Sequence, residues 1–328
     1  MSTPLGRVRS WHRPMTWFAG VMLVMAAVSA AGLALDDRVL LGAPIWLKPL
    51  KFAVSISLYC ITWAWLTSLL RRHRRVASVV STAIVVLLAV EYAVIVVQAV
   101  RGRSSHFNVS TALDSTLFTI MAVSIAALWT GTLVLTVLLV RTPVADAAGR
   151  WAIRLGALIA LAGLALGALM TRPTSAQVES MADGTFEGLV GAHSVGVPDG
   201  GPGMAVTGWS TTGGDLRIPH FVGMHALQAL PLLALLLGAL ATRLPRLRSG
   251  VVRTRLVLTA AAGYAGLTGL LTWQALRGQP LTAPDPATLL AFGLLAGAVV
   301  VAAGLCLVRT PDGPPEHLDG DRPKAGAR

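Results

Sequence analysis

RRVASVVSTAIVVLLAVEYAVIVVQAVRGR, residues 74–103, decides the fold class. Between its flanking arginines, positions 76–100 hold one charged side chain, Glu91, in a background of valine, leucine, isoleucine and alanine. About 20 apolar residues suffice for a helix to cross the hydrocarbon core of a bilayer. Further runs of this kind cover about 15–35, 50–70, 115–140, 151–170, 219–242, 253–276 and 287–308. The 328 residues are 54% hydrophobic and only 13% charged, where a soluble domain carries about 25% charged residues. So few charges cannot cover so much apolar surface in water. The sequence predicts an all-α, polytopic transmembrane helix bundle of about eight helices.

The net charge of +12 would suggest nucleic acid in a soluble protein, but here the basic residues cluster between apolar runs and read as topology signals. One set of helix ends holds Arg7, Arg9, Arg13, Arg71, Arg72, Arg74, Arg75, Arg141, Arg150, Arg154, Arg243, Arg246, Arg248, Arg253, Arg255, Arg309, Arg322, Lys324 and Arg328. The other holds Arg38, Lys48, Lys51, Arg101, Arg103, Arg172, Arg217 and Arg277. The positive-inside rule makes the larger set cytoplasmic. The expected organisation is a cytoplasmic N-terminus at 1–14, a bundle at 15–308 and a disordered cytoplasmic tail at 309–328, whose Pro, Gly and charge content suits disorder. An extracytoplasmic loop at 171–218 joins the fifth and sixth helices, and GVPDGGPG at 196–203 reads as consecutive turns.

Other features have plain readings. Arg7, Arg9 and Arg13 before an apolar run resemble a signal peptide, but the run is long enough for a retained first helix; cleavage near Ala30-Ala31 is the alternative. Cys60 and Cys306 fall at different depths and should not bridge. LLGAPIWLKPLKF at 40–52 is expected at the outer interface, and Trp46, Trp17, Trp151 and Trp273 suit an aromatic belt. Thr111-x-x-Asp114 has the form of a capping box, and Asn108-Val109-Ser110 matches a glycosylation pattern. The glycines at 200–203 and 213–214 lack the Lys-Ser/Thr ending of a phosphate loop.

The polar residues carry the functional signal. His12, His73 and His317 lie with cytoplasmic charge, whereas His106, His193, His220 and His225 all fall on the outer side, from three separated segments. In GGDLRIPHFVGMHALQALP, residues 213–231, Pro219 suits a first helical turn and Asp215 sits near the helix's positive end. His220 and His225 are about 140° apart around a helix, so they either share a ligand across an irregular turn or serve separate partners. His225 and Gln228 share a face, and Pro231 frees the carbonyl of Leu227, predicting a kink. Glu91 lies about 14 Å below the outer end of its helix; a carboxylate there should face the bundle interior and find a partner. Gln98 shares its face.

KPLKFAVSISLY at 48–59, EYAVIVVQAVRGRSSHFN at 91–108, and GAHSVGVPDGGPG with GWSTTGGDLRIPHFVGMHALQALP at 191–231 together resemble a family of uncharacterised multi-pass bacterial membrane proteins. That resemblance spans about 50–235 and implies a bacterial inner (cytoplasmic) membrane. In broad architecture the chain is also similar to haem A synthases, without their paired Glu-x-x-His arrangement, since Glu91 lies fifteen residues before His106. Three functional readings stay open. The first is a site for haem or a transition metal, possibly redox-active, with His106, His193, His220 and His225 as ligands and Glu91 as proton relay; imidazole suits iron, copper or zinc, and Met204 and Met224 nearby leave copper open. The second is a proton-coupled small-solute transporter, its ligand contacted by Gln98, Asp215 and Gln228. The third is a non-catalytic membrane subunit or assembly factor that docks a partner through the outer loop.

Overall fold

The computed structural model describes residues 11–144 and 146–308; most of the 1–14 segment and the tail at 309–328, with His317, lie outside the described residues. Helices follow the apolar runs: α1 (Arg13–Leu35), α2 (Leu47–Ser68), α3 (Arg74–Val100), α4 (Ala112–Val140) and α5 (Ala147–Leu166). After the long connection come α7 (Arg217–Met224), α8 (Ala226–Leu240), α9 (Gly250–Leu276) and α10 (Pro286–Val308); α6 (Ser175–Asp183) lies within the connection. Among the described residues seven helices are long and apolar enough to cross a membrane, and the bent pair α7–α8 supplies an eighth crossing. The chain is an all-α polytopic bundle.

Helix starts are set by caps. Thr111 and Ser249 accept the backbone N–H groups of Asp114 and Val252, and Asp146 accepts that of Gly149 at 2.7 Å, which satisfies donors that a helix start leaves free. The expected capping residue Thr111 thus sits where the sequence put it. One start differs from expectation. α2 begins at Leu47, so Lys48 and Lys51 stand in its first turns instead of an interfacial segment, because Pro49 fits there without a missing bond. Trp46, expected in the belt, donates its indole N–H to Asp36 at 2.8 Å and packs its ring on Gly32; Trp17, Trp151 and Trp273 are exposed.

The largest core joins α1–α4 around Trp63, Leu66, Ile84 and Leu135 and reaches Ala157 of α5 and Leu227 of α8. A second lies between α5, α8 and α9. α5 is the central element, packed on α4, α7, α8 and α9, while α10 lies outside against α9. Close approach of α5 to α7 depends on two glycines. A methyl on Gly223 would sit 2.7 Å from Gly163 Cα, so the backbones touch where neither residue has a side chain.

One local expectation is corrected. The bend of 41° falls at His225, between α7 and α8, and Pro231 lies inside an unbroken α8. α7 is held against α5 at Gly223 while α8 follows the bundle, so the change of direction is absorbed at the junction. The stretch 196–203 runs as turns and bends, as its sequence suggests, and the rest of the long loop is ordered around it. Its α6 carries a capping box between Thr174 and Gln177. Strand β3 (Ser194–Val195) pairs antiparallel with β4 (Gly214–Asp215), in the register Ser194–Asp215. A further hairpin, β1 (Val39–Leu40) with β2 (Ala43–Pro44), as β1 and β2 precede α2, faces it across the same end of the bundle.

Candidate functional site: a cavity under the long loop

The roof is the long loop, tied down by two aspartates. Asp215 is 1% exposed and accepts the amides of Ser210 at 2.7 Å and Arg217 at 3.0 Å as well as the Arg217 guanidinium. Asp199 accepts the amides of His193 at 3.0 Å and Ser194 at 2.8 Å, and the His193 ring N–H at 2.8 Å. Burial works against the Asp199 charge, but those three donors hold its carboxyl well below the usual carboxylate range. Burial also lowers the His193 pKa, against the pull of Asp199. The ring is therefore neutral with its proton on Nδ1, which leaves Nε2 as an acceptor. Gly214 presses on the Ala275 carbonyl with no room for a side chain, which docks β4 on the end of α9.

The floor comes from α2, α3 and the turn after α3. Lys48 Nζ lies 3.0 Å from His106 Nδ1. An ammonium can only donate, so the ring carries its proton on Nε2, and Nε2 lies 3.5 Å from Glu91 Oε1. Lys48, His106 and Glu91 thus stand in a row from the first turn of α2 to α3, the last step an approach of 3.5 Å and not a hydrogen bond. Glu91 is 4% exposed, and neither of its oxygens has a hydrogen-bond partner. His106 is lowered well below the ordinary histidine value, by burial first and then by the Lys48 charge. Ser105 Oγ, 3.2 Å from Nδ1, is a second partner on the Lys48 side of the ring.

Phe107 joins roof to floor. Its ring packs edge-on to both His106, at 5.9 Å between centroids, and His193, at 5.1 Å. Its backbone has φ +65°, in the left-handed region, which costs a residue with a side chain about 1–3 kcal/mol. The burial of its ring and the bond from Val190 N–H to its carbonyl, 2.8 Å, hold it there.

Between roof and floor is a cavity of about 280 Å³, lined by Lys48, Lys51, Phe52, Arg103, Ser105, His193, Asp199, Met204, Arg217 and Phe221 among others. Deeper in the bundle His220 donates from Nδ1 to the Gly163 carbonyl at 2.8 Å. His225 Nδ1 lies 3.2 Å from Gln228 Oε1, and Gln228 donates to Thr62 at 3.2 Å. A void of about 10 Å³ beside His225, Met224 and Tyr59 has the size of one water.

Of the sequence-predicted residues His193 lines the cavity, while His106 and Glu91 lie behind the cavity-lining Lys48, and His220 and His225 have separate partners. Gln98 and Asp215 are engaged elsewhere. Gln98 donates to Asp114 at 2.9 Å and to Ser104 and accepts from Arg101; Asp215 clamps the loop. Gln228 is spent on His225 and Thr62. Among the described residues no group of three or more His, Cys, Asp or Glu side chains is placed to hold a metal ion. Each imidazole is drawn to its own partner, so the four do not converge on one point. Cys60 and Cys306 are both free, and Asn108 is buried with its amide on the Ser104 carbonyl.

Sequence reasoning missed Lys48, Lys51, Phe107 and Asp199. Lys48 and Lys51 left a signal, as lysines on the side that the positive-inside bias depletes. Phe107 and Asp199 left none, since their roles exist only once the loop is docked. Comparison with protein-family models, curated proteins and solved structures gives no match.

Proposed function

We propose that the protein is a small-solute carrier of a bacterial cytoplasmic membrane, both termini inside, which receives its solute from the extracytoplasmic side. One observation carries this reading: a solute-sized cavity at the loop end, lined by four cations, is connected through Lys48 and His106 to a carboxylate, Glu91, that is buried in the span without a hydrogen bond. Ionisable groups within membrane spans face the bundle interior at substrate or proton pathways. The broken helix α7–α8, whose break at His225 opens onto the water-sized void, is the second element expected of a carrier. The haem or metal reading lacks a convergent ligand set and is not carried further.

The purified full-length protein would be screened for solutes that raise its thermal unfolding temperature, and hits tested for uptake into proteoliposomes. Uptake should be lost in Glu91→Gln while unfolding temperature and monodispersity are kept. No hit in the screen, or wild-type uptake by Glu91→Gln, removes the reading.

A further inference from the structure

We infer that the cavity takes a small oxyanion, carboxylate or phosphate, and that each anion bound brings one proton onto Glu91. This rests on the carrier reading and names its substrate class and its coupling group. The cavity lining holds four cations, Lys48, Lys51, Arg103 and Arg217, against one carboxylate, Asp199. Asp199 is already engaged by three donors, and Arg217 by Asp215. Lys51 spends one N–H on the Thr207 carbonyl at 2.7 Å, and Lys48 one on His106. An ammonium has three N–H donors, so both lysines keep donors for a ligand. A cationic solute would meet repulsion there, and a neutral one would leave these donors without acceptors.

Coupling follows from this row of groups. The coupled cycle starts with Lys48 as the ammonium, His106 neutral with its proton on Nε2 and Glu91 as the carboxylate, so the buried group is neutral. A bound oxyanion accepts from Lys48 and draws the ammonium off His106 Nδ1. Nδ1, now bare, takes a proton from the bulk solvent, passed along water past Lys48 and Ser105 at the cavity wall, and donates it toward Ser105 Oγ, 3.2 Å away. The ring releases its Nε2 proton to Glu91, across the 3.5 Å gap that already separates them. His106 ends neutral, with the proton on Nδ1 and Nε2 accepting from the new Glu91 hydroxyl. One proton has entered with one negative charge, and the buried site is neutral again. Without that proton the Lys48–anion pair would leave Glu91 a charge with no partner in the span, which is the costly state. The groups facing Glu91 are consistent with this assignment. Lys48 approaches from α2 and His106 from the turn after α3. α4 offers Asp114, which Gln98 and Arg101 hold at the helix mouth, and α1 carries no ionisable side chain after Arg13.

The test is calorimetric titration of the full-length protein in detergent with succinate and, separately, inorganic phosphate, near neutral pH in buffers of different ionisation enthalpy. The buffer dependence reads protons taken up per anion bound, and the two anions distinguish the carboxylate from the phosphate. At least one should bind with uptake of one proton per anion bound. Glu91→Gln, which mimics the protonated acid, should bind the same anion with no proton uptake, and so should His106→Gln, which removes the relay. Lys48→Gln should weaken binding by roughly ten- to a hundredfold, the range of a charge-assisted hydrogen bond. Binding without proton uptake, or unchanged uptake in Glu91→Gln, overturns the coupling and leaves the carrier reading intact. If only neutral or cationic solutes bind, the oxyanion assignment falls alone. If no solute of any class binds, both fall together.

Discussion

Gly163→Ala tests whether the site is built on the contact of α5 with α7. A methyl at Gly163 would lie 2.6 Å from Gly223 Cα and closer still to Gly223 C and Met224 N. Carbon atoms in contact sit about 3.5–4 Å apart, so the helices must separate by roughly 1 Å. The obstacle is backbone on both sides, with no flexible side chain to yield. Overpacking of this kind costs about 1–3 kcal/mol. Moving α7 outward also stretches the bond from His220 Nδ1 to the Gly163 carbonyl, 2.8 Å in the native fold, for about 1 kcal/mol more. Replacing a mid-helix glycine by alanine returns about 0.5–1 kcal/mol. The net expectation is a loss of about 1–3 kcal/mol, the sum of these terms. Gly269→Ala in α9 is the control, since nothing lies within 4 Å of its added methyl and only the favourable term remains. Unfolding followed in detergent should rank Gly163→Ala below wild type and Gly269→Ala at or above it. Equal stability of the two variants would refute the claim that α5 and α7 meet backbone to backbone.

Asp114→Ala removes a fully buried carboxylate that accepts from Gln98, Arg101 and Thr111; unfolding should show a loss of about 2–4 kcal/mol, the scale of breaking a buried pair. Acid should loosen the loop. Burial keeps His106 and His193 neutral in the fold, whereas the unfolded chain protonates its histidines near pH 6.5, so the unfolded state binds more protons below that pH and stability falls as pH drops through it. Asp199, held low by its donors, gives up its contribution only in stronger acid, below the unfolded value near 4. Protease cleavage within 186–212 should therefore rise between about pH 6.5 and 5, and cleavage that stays flat over that range would contradict the sign. Orientation is open to direct labelling: on a background lacking Cys60 and Cys306, Ala205→Cys should react with a membrane-impermeant thiol reagent on intact cells, and Arg243→Cys should react only after lysis.

How far the site could be read in advance depends on the distance over which each interaction acts. Glu91 was conspicuous because a charge inside an apolar run demands a reason, whatever surrounds it. The pair of His225 with Gln228 was legible too, since three residues along a helix bring side chains together without tertiary information. The helix bend was placed wrongly at Pro231 because a proline announces a lost backbone bond locally, whereas the bend at His225 is imposed by contact with α5, which lies 60 residues away in the chain. Gly163 and Gly223 gave no separate signal in a chain with 33 glycines.

The outer cations show what a finer reading could extract. Four of the eight have an aspartate near them in the chain, and the structure pairs each: Arg38 with Asp36, Arg101 with Asp114, Arg217 with Asp215 and Arg277 with Asp285. Such pairs cancel locally and serve to fix a turn or a helix end. Setting them aside leaves Lys48, Lys51, Arg103 and Arg172 on the side where positive charge is disfavoured. Three of these four line the cavity. Positive charge kept against the topological bias, with no salt bridge to a carboxylate among the described residues, has to be balanced by something else. For Lys48 that balance is Glu91, reached through His106 across the bundle, and the cavity lies where the balance can be disturbed from outside.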